Sequence, residues 1–294
     1  MKIGVFVSKR KSSEGGGYTI TEELLNSFIS EIKLKSINDK FFFLVSNDFN
    51  NSIISRLKKG KIKYYQITEN KIFKKLIIFI SHFFPKSNRL LNFLKIIKIN
   101  NIFKRENCDT ILFLSSEYRE IISIPYIATV WDMQHETHPN FSEVSSFGRK
   151  LYRKTVNNNF IRKASKVIVG TKIGKLEIIK YTNFNKKFII LPHPVSKIFL
   201  VKKKINEAKK KYFFYPANFW EHKNHFNLIK GFKIFLKNNK NFNLILSGEK
   251  KNNYSNVVSL IKKLNISKNV KIVGHVNLNK LISLYDNSFA VIYP

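Results

Sequence analysis

A chain of 294 residues with 44% hydrophobic side chains holds enough apolar material for two domains of ordinary size and is not a disordered polymer. Its formal net charge of +34 first suggests a nucleic-acid partner. That charge is mostly lysine, however, and is spread along the whole chain beside abundant Asn, Ile and Phe, a usage that an AT-rich genome imposes on any protein; compositional bias and a working electrostatic surface both stay open, and a nucleic-acid partner is not expected.

In chain order, Lys2–Ser8 is apolar and β-branched and reads as a strand, not as a signal peptide. A polar, Gly-rich stretch follows, and then Tyr18–Lys35 places Leu24, Leu25, Phe28, Ile29 and Ile32 on one helical face, with Thr21 or Thr19 as N-cap. Further strands are expected at Phe41–Ser46, Lys61–Ile67, Thr110–Ser115, Tyr126–Trp131, Lys166–Gly170 and Phe188–Leu191. Helices are expected between them, at Ser52–Lys59, Lys71–Phe84, Arg89–Arg105, Ser142–Ala164 and Thr171–Tyr181. The most apolar run, Leu76–Phe84, is far shorter than the ~20 residues that span a bilayer. Cys108 is the lone cysteine, which excludes an intramolecular disulfide and fits a reducing cytoplasm.

Prolines 192 and 194 and a run of lysines then break the rhythm. Strands Tyr212–Pro216, Phe242–Ser247, Val270–Gly274 and Phe289–Tyr293 restart it, with helices Asn224–Leu236, Tyr254–Leu264 and Leu278–Asp286 between them. Strands alternating with helices imply parallel sheets covered on both faces. The expected division is therefore an α/β domain over 1–195, a linker over 196–211 and a second α/β domain over 212–294. A buried-looking strand running straight into Pro294 suggests that this second domain is incomplete.

Four stretches at the carboxyl ends of strands are able to carry chemistry, since open α/β sheets bind ligands there. Glu14-Gly15-Gly16-Gly17 precedes the first helix, whose free N–H groups and dipole attract anions, although an ordinary turn has the same composition. Trp131-Asp132-Met133-Gln134-His135-Glu136-Thr137-His138 gathers acids, histidines and an indole behind a strand; Asp132 and His135 suit proton transfer or sugar hydroxyls, and a solvated loop with a capping Asp is the alternative. His135 and His138 stand three apart, not the four of the helical two-His zinc motif, so no metal is expected. In Tyr215–His225 a lysine near a helix start, Lys223, is a natural clamp for a diphosphate or else a solvent-facing residue of a capping loop. Gly248 and Gly274, the latter followed by His275, close later strands, where a tight turn accounts for them as well as a ligand does. No nucleophile elbow is present.

Several of these segments, together with Pro139–Val144, Ala164–Thr171 and Leu191–Val195, resemble the retaining glycosyltransferases of family four. The most specific likeness is Tyr215-Pro216-Ala217-Asn218-Phe219-Trp220-Glu221-His222-Lys223-Asn224-His225, which is similar to the P-A-x-F-W-P-H-K-N-H segment of polysaccharide and lipopolysaccharide members. Gly274-His275-Val276 and Leu281–Tyr285 fit as well.

The resemblance implies a GT-B fold, two Rossmann-like domains facing a cleft, and a bacterial enzyme moving a hexose from a nucleotide-diphosphate sugar to a glycan or lipid-linked acceptor. It implies no metal and no cofactor, with Lys223 on the diphosphate, Gly16 and Gly17 approaching it, and Trp131, Asn218, Gly248, Gly274 and His275 around the donor. His135 and Asp132 would line the reacting sugar. Trp131 departs from the histidine of many relatives, Asn218 stands where an arginine is usual, and the E-x7-E segment would lie beyond Pro294. A non-catalytic homologue or fragment acting only as a binding domain is the alternative. Lys71–Ile80 mixes lysine with large apolar residues in a way that suits either a buried helix or peripheral contact with an anionic membrane.

Overall fold

The computed structural model describes residues 1–7, 16–33, 39–46, 51–67, 79–80, 99–116, 124–145, 149–195 and 210–294. They fall into two compact units, one built on Met1–Arg10, Thr19–Asn140 and Val144–Pro194, the other on Lys11–Tyr18, Phe141–Glu143 and Val195–Pro294.

The first unit holds β1 (Lys2–Val7), α1 (Gly16–Lys33, which straddles the division), β2 (Lys40–Ser46), α2 (Asn51–Lys59), β3 (Lys63–Ile67), β4 (Thr110–Phe113) and β5 (Tyr126–Val130). After β5 come α3 (Gln134–Thr137), α4 (Ser142–Ser145, which also straddles the division, Glu143 belonging to the second unit), α5 (Arg149–Lys163), β6 (Lys166–Val169), α6 (Lys172–Thr182) and β7 (Lys187–Ile190). Its seven strands are parallel in the order β3-β2-β1-β4-β5-β6-β7, so the winding direction reverses between β1 and β4.

The period of two along each strand sorts the core into two layers. Val5, Val7, Phe43 and Val45 face Leu25 and Ile29 of α1 and Ile53 and Leu57 of α2. Phe6, Phe42 and Leu44 point the other way, toward Phe103 of the helical residues 99–105 and Phe160 and Ile161 of α5. Gly4 is required on this side, because a Cβ there would come within 2.7 Å of the Phe103 ring.

The second unit holds β8 (Tyr212–Pro216), a 3₁₀ turn (Glu221–Lys223), α7 (His225–Phe235), β9 (Asn243–Ser247), α8 (Tyr254–Lys263), β10 (Val270–Gly274), α9 (Leu278–Asn287) and β11 (Ala290–Val291). The strands are again parallel, in the order β10-β9-β8-β11, with the reversal between β8 and β11. Tyr215, Leu244 and Leu246 pack with Leu228, Ile229 and Phe232 of α7 and Val257 and Ile261 of α8. Tyr212 and Phe214 pack on the opposite face with Leu284 of α9.

Two expectations need correction. α1 starts at Gly16, so Thr19 and Thr21 are interior residues; Thr21 is buried, because it lies on the inward face of a helix that runs one turn further back. The loop after β5 contains α3, at whose first residue the Gln134 N–H donates to the Asp132 carboxylate at 3.1 Å. Of the helix expected over Ser142–Ala164, Ser142–Ser145 (α4) and Arg149–Lys163 (α5) are helical, and residues 146–148 lie outside the described residues. Most of the stretches expected as helix Lys71–Phe84 and as linker 196–211 also lie outside them, as do residues 89–98 of the expected helix Arg89–Arg105 and Glu14 and Gly15 of the glycine loop.

Candidate functional site

In the first unit the loop behind β5 is held from below by α5. Met133 and His135 are buried, whereas Asp132 is exposed. The His135 Nε2 lies 3.2 Å from Asn158 Oδ1, and the Asn158 amide donates to Glu136 at 2.8 Å, so one carboxamide on α5 secures two loop residues. Burial pushes the His135 imidazole below its usual range, which favours the neutral ring at pH 7. Trp131 meets the His193 ring edge-on at 6.5 Å, and His193 also sits against Gly170, where a Cβ would lie 3.0 Å from the imidazole. Trp131, Gly170, Leu191 and His193 line a hollow with room for little more than a water molecule.

The second unit concentrates Asn218, Lys223, Gly248, Gly274 and His275 in the segments that leave one sheet end. Strand register makes this unavoidable: Pro216 pairs with Ser247, and Ser247 with Gly274. The segments beginning at Ala217, Gly248 and His275 therefore leave the sheet side by side. Gly248, at φ +151°, is the tightest point, since a Cβ would fall 2.3 Å from the Ala217 carbonyl oxygen. The loops are then stitched together. The Gly248 N–H donates to Gly274 O at 2.9 Å, the Glu249 N–H to Asn218 Oδ1 at 2.7 Å, and the Phe219 N–H to Glu249 O at 3.0 Å. Asn218 thus spends its carbonyl oxygen on the neighbouring loop.

Lys223 ends the 3₁₀ turn and is exposed, and its carbonyl is anchored by the Tyr215 hydroxyl at 2.7 Å. Asn224 takes a left-handed conformation (φ +53°) and launches α7, so the lysine stands immediately before a helix N-terminus. His222 pairs with the Glu143 carboxylate, which also accepts from Asn252 at 3.2 Å. His275 follows Gly274 and is exposed, whereas Gly16 and Gly17 form the first turn of α1.

Two residues escaped sequence reasoning. Asn158 is 23 positions from the loop it holds and carries no local signal. His225 sits in the recognised segment, yet its role appears only in three dimensions: it is fully buried, stacked on Phe219 at 4.6 Å with Tyr215 at 5.0 Å, and burial pushes it down to about 4. Among the described residues no group of three or more His, Cys, Asp or Glu converges as a metal site, and no helix is long and apolar enough to cross a membrane.

Two parallel Rossmann-like sheets in one chain, the second smaller, define a GT-B fold. Residues 197–294 match the family model described as Glycosyl transferases group 1, and the chain is accordingly a transferase. The structure is similar to a glycosyltransferase from Rickettsia africae (TM-score 0.57, 15% identity, 99% of this chain and 72% of that one). It is also similar to the apo form of the lipopolysaccharide outer core galactosyltransferase WaaB (0.55, 14%, 99% and 73%). A third likeness is to a variant of TarM from S. aureus in complex with Fondaparinux, alpha-GlcNAc-glycerol and UDP (0.57, 12%, 99% and 80%). At these identities the likenesses show the fold. A search of the curated proteins returned no match.

Proposed function

We propose that the chain transfers a hexose from a nucleotide-diphosphate sugar to a glycan or lipid-linked acceptor of a bacterial cell-surface polysaccharide, with retention and without a metal. The observation that carries this reading is the second unit's sheet end, where the glycine at 248 lets its loop cross close against Ala217, and Lys223 stands before the N-terminus of α7. The family match covers this same segment, and the TarM structure contains UDP.

Charge accumulates on the diphosphate as the sugar departs. A fixed ammonium and the N–H groups of a helix start stabilise that charge and so lower the barrier. Gly274 and His275 extend the same edge, and Gly16 and Gly17 are assigned to the diphosphate's opposite side, as the family resemblance implies. Trp131 and Asp132 are assigned to the sugar, and His135 to the loop that presents them. Asp132 is exposed and able to accept a hydroxyl, whereas the neutral, buried His135 bonded to Asn158 sets the shape of the loop. The acceptor assignment draws on the lipopolysaccharide core named for WaaB and the glycosylated glycerol bound to TarM.

A thermal-shift titration against UDP, GDP and their sugars, with Lys223→Ala beside the parent, tests the reading. Nucleotide at 100 times its Kd should stabilise the parent by about 2.7 kcal/mol, and the shift should largely vanish in the variant. No shift with any nucleotide would overturn the donor site, and equal shifts in both proteins would move it away from Lys223.

A further inference from the structure

The first unit carries a surface that the transfer chemistry does not use. Between Arg149 and Val195 the sequence has twelve lysines and arginines and a single acid, Glu177. This is well beyond the lysine enrichment of the chain as a whole, because acids are almost eliminated here. The stretch folds as α5, β6, α6 and β7, and α6 lies at its surface.

α6 is rigidly placed. Thr171 caps it by accepting the Gly174 N–H at 3.0 Å, and Asn183 ends it in a left-handed conformation (φ +55°). Ile178 and Thr182 are buried beneath it. The Arg162 guanidinium of α5 donates to Thr182 O at 2.9 Å, which fixes a cation at its C-terminal end. A helix seated this way shows the opposite side to solvent, and helical spacing puts Lys172, Ile173, Leu176 and Lys180 on it. Ile173 is 69% and Leu176 64% exposed, a large apolar exposure for two neighbours one turn apart. Lys175 lies over the Phe188 ring, leaving its charge beside the same helix.

Two exposed aliphatic side chains on one helix face with Lys172 and Lys180 make poor sense against water and good sense against a surface with anionic headgroups over hydrocarbon. We propose that the outer face of α6 is a membrane-docking surface, on which Ile173 and Leu176 enter the headgroup–acyl boundary of an anionic bilayer while Lys172 and Lys180 meet its lipid phosphates. The preformed helix is pre-organised for this contact, so docking needs no folding step. This surface is independent of the donor site, and the proposal survives even if the nucleotide reading fails.

Vesicle flotation tests it, with phosphatidylcholine alone or mixed with phosphatidylglycerol. The parent protein should float only with the anionic vesicles and be released by high salt. Ile173→Ser with Leu176→Ser should weaken flotation about tenfold or more. Lys172→Glu with Lys180→Glu should do at least as much, each basic group near such a surface being worth roughly fivefold. Both variants alter only exposed positions and should melt like the parent, and nucleotide shifts should be unchanged. Failure of the parent to float with anionic vesicles overturns the proposal, as does flotation unaffected by either pair. Self-association abolished by the serine pair would show instead that a second copy covers the face. Tight DNA binding indifferent to the serine pair would show that the basic field serves a nucleic acid.

Discussion

Replacing Gly248 by alanine gives the sharpest test of the donor-side geometry. At φ +151° any L side chain is strained, which costs roughly 1–3 kcal/mol. The new Cβ would also meet the Ala217 carbonyl oxygen at 2.3 Å, its carbon at 2.5 Å and the Asn218 nitrogen at 2.7 Å. These are backbone atoms and cannot rotate away, so a displacement costing a further ~1–3 kcal/mol follows. The expected loss is roughly 2–6 kcal/mol, a large share of a stability of about 5–15 kcal/mol. Gly274 provides the internal control: its φ is +70°, but nothing lies within 4 Å of a built Cβ, so Gly274→Ala should cost only ~1–2 kcal/mol. Urea unfolding followed by Trp220 fluorescence, in a Trp131→Phe background, reports the second unit selectively. Equal costs at the two glycines, or less than about 1 kcal/mol at Gly248, would refute the close crossing of the loops.

His225 makes the second unit acid-sensitive. The unfolded chain takes up its proton near pH 6.5 and the folded one only near 4, so stability falls as pH drops through that window, by about 3 kcal/mol in all. His225→Phe keeps the stacking on Phe219 and should flatten this dependence in urea titrations; a parent equally stable at pH 7 and pH 4 would contradict the burial. In the first unit, hydrogen bonds from Tyr65 and then Lys63 hold Glu106 at about 2, with Lys2 3.0 Å away. Its folded value is depressed, so the stabilisation is complete above the unfolded carboxylate range and disappears as pH falls through about 2. Glu106→Gln should therefore cost about 1–2 kcal/mol at pH 7, discounted for the exposed lysines, and nothing in strong acid.

Periodicity made most of the architecture readable. Phe41–Ser46 and Tyr212–Pro216 are continuous apolar runs of the kind that strands covered on both faces require, and the helices between strands repeat apolar positions at helical spacing, which are local consequences of backbone geometry. Boundaries slipped where a side chain acted on the backbone. Asp132 folds back on the Gln134 N–H just ahead of α3, which nothing in the apolar pattern announces, and the inward position of Thr21 outweighed its capping preference.

The candidate site divides in the same way. Residue types at strand ends drew attention to Lys223, Gly248 and Gly274, because α/β sheets bind ligands there whatever their sequence. That Gly248 must be glycine depends on Ala217, thirty-one positions away in the chain, and becomes evident only when β8 and β9 pair Pro216 with Ser247. The bond from Asn218 to Glu249, the clasp of Asn158 on His135 and Glu136, and the burial of His225 arise from the same cause. Local spacing determines which elements form and which residue types stand at their ends. Partners, burial and the proton affinities that follow from them belong to contacts between distant segments, and these exist only after the sheets have closed on their helices.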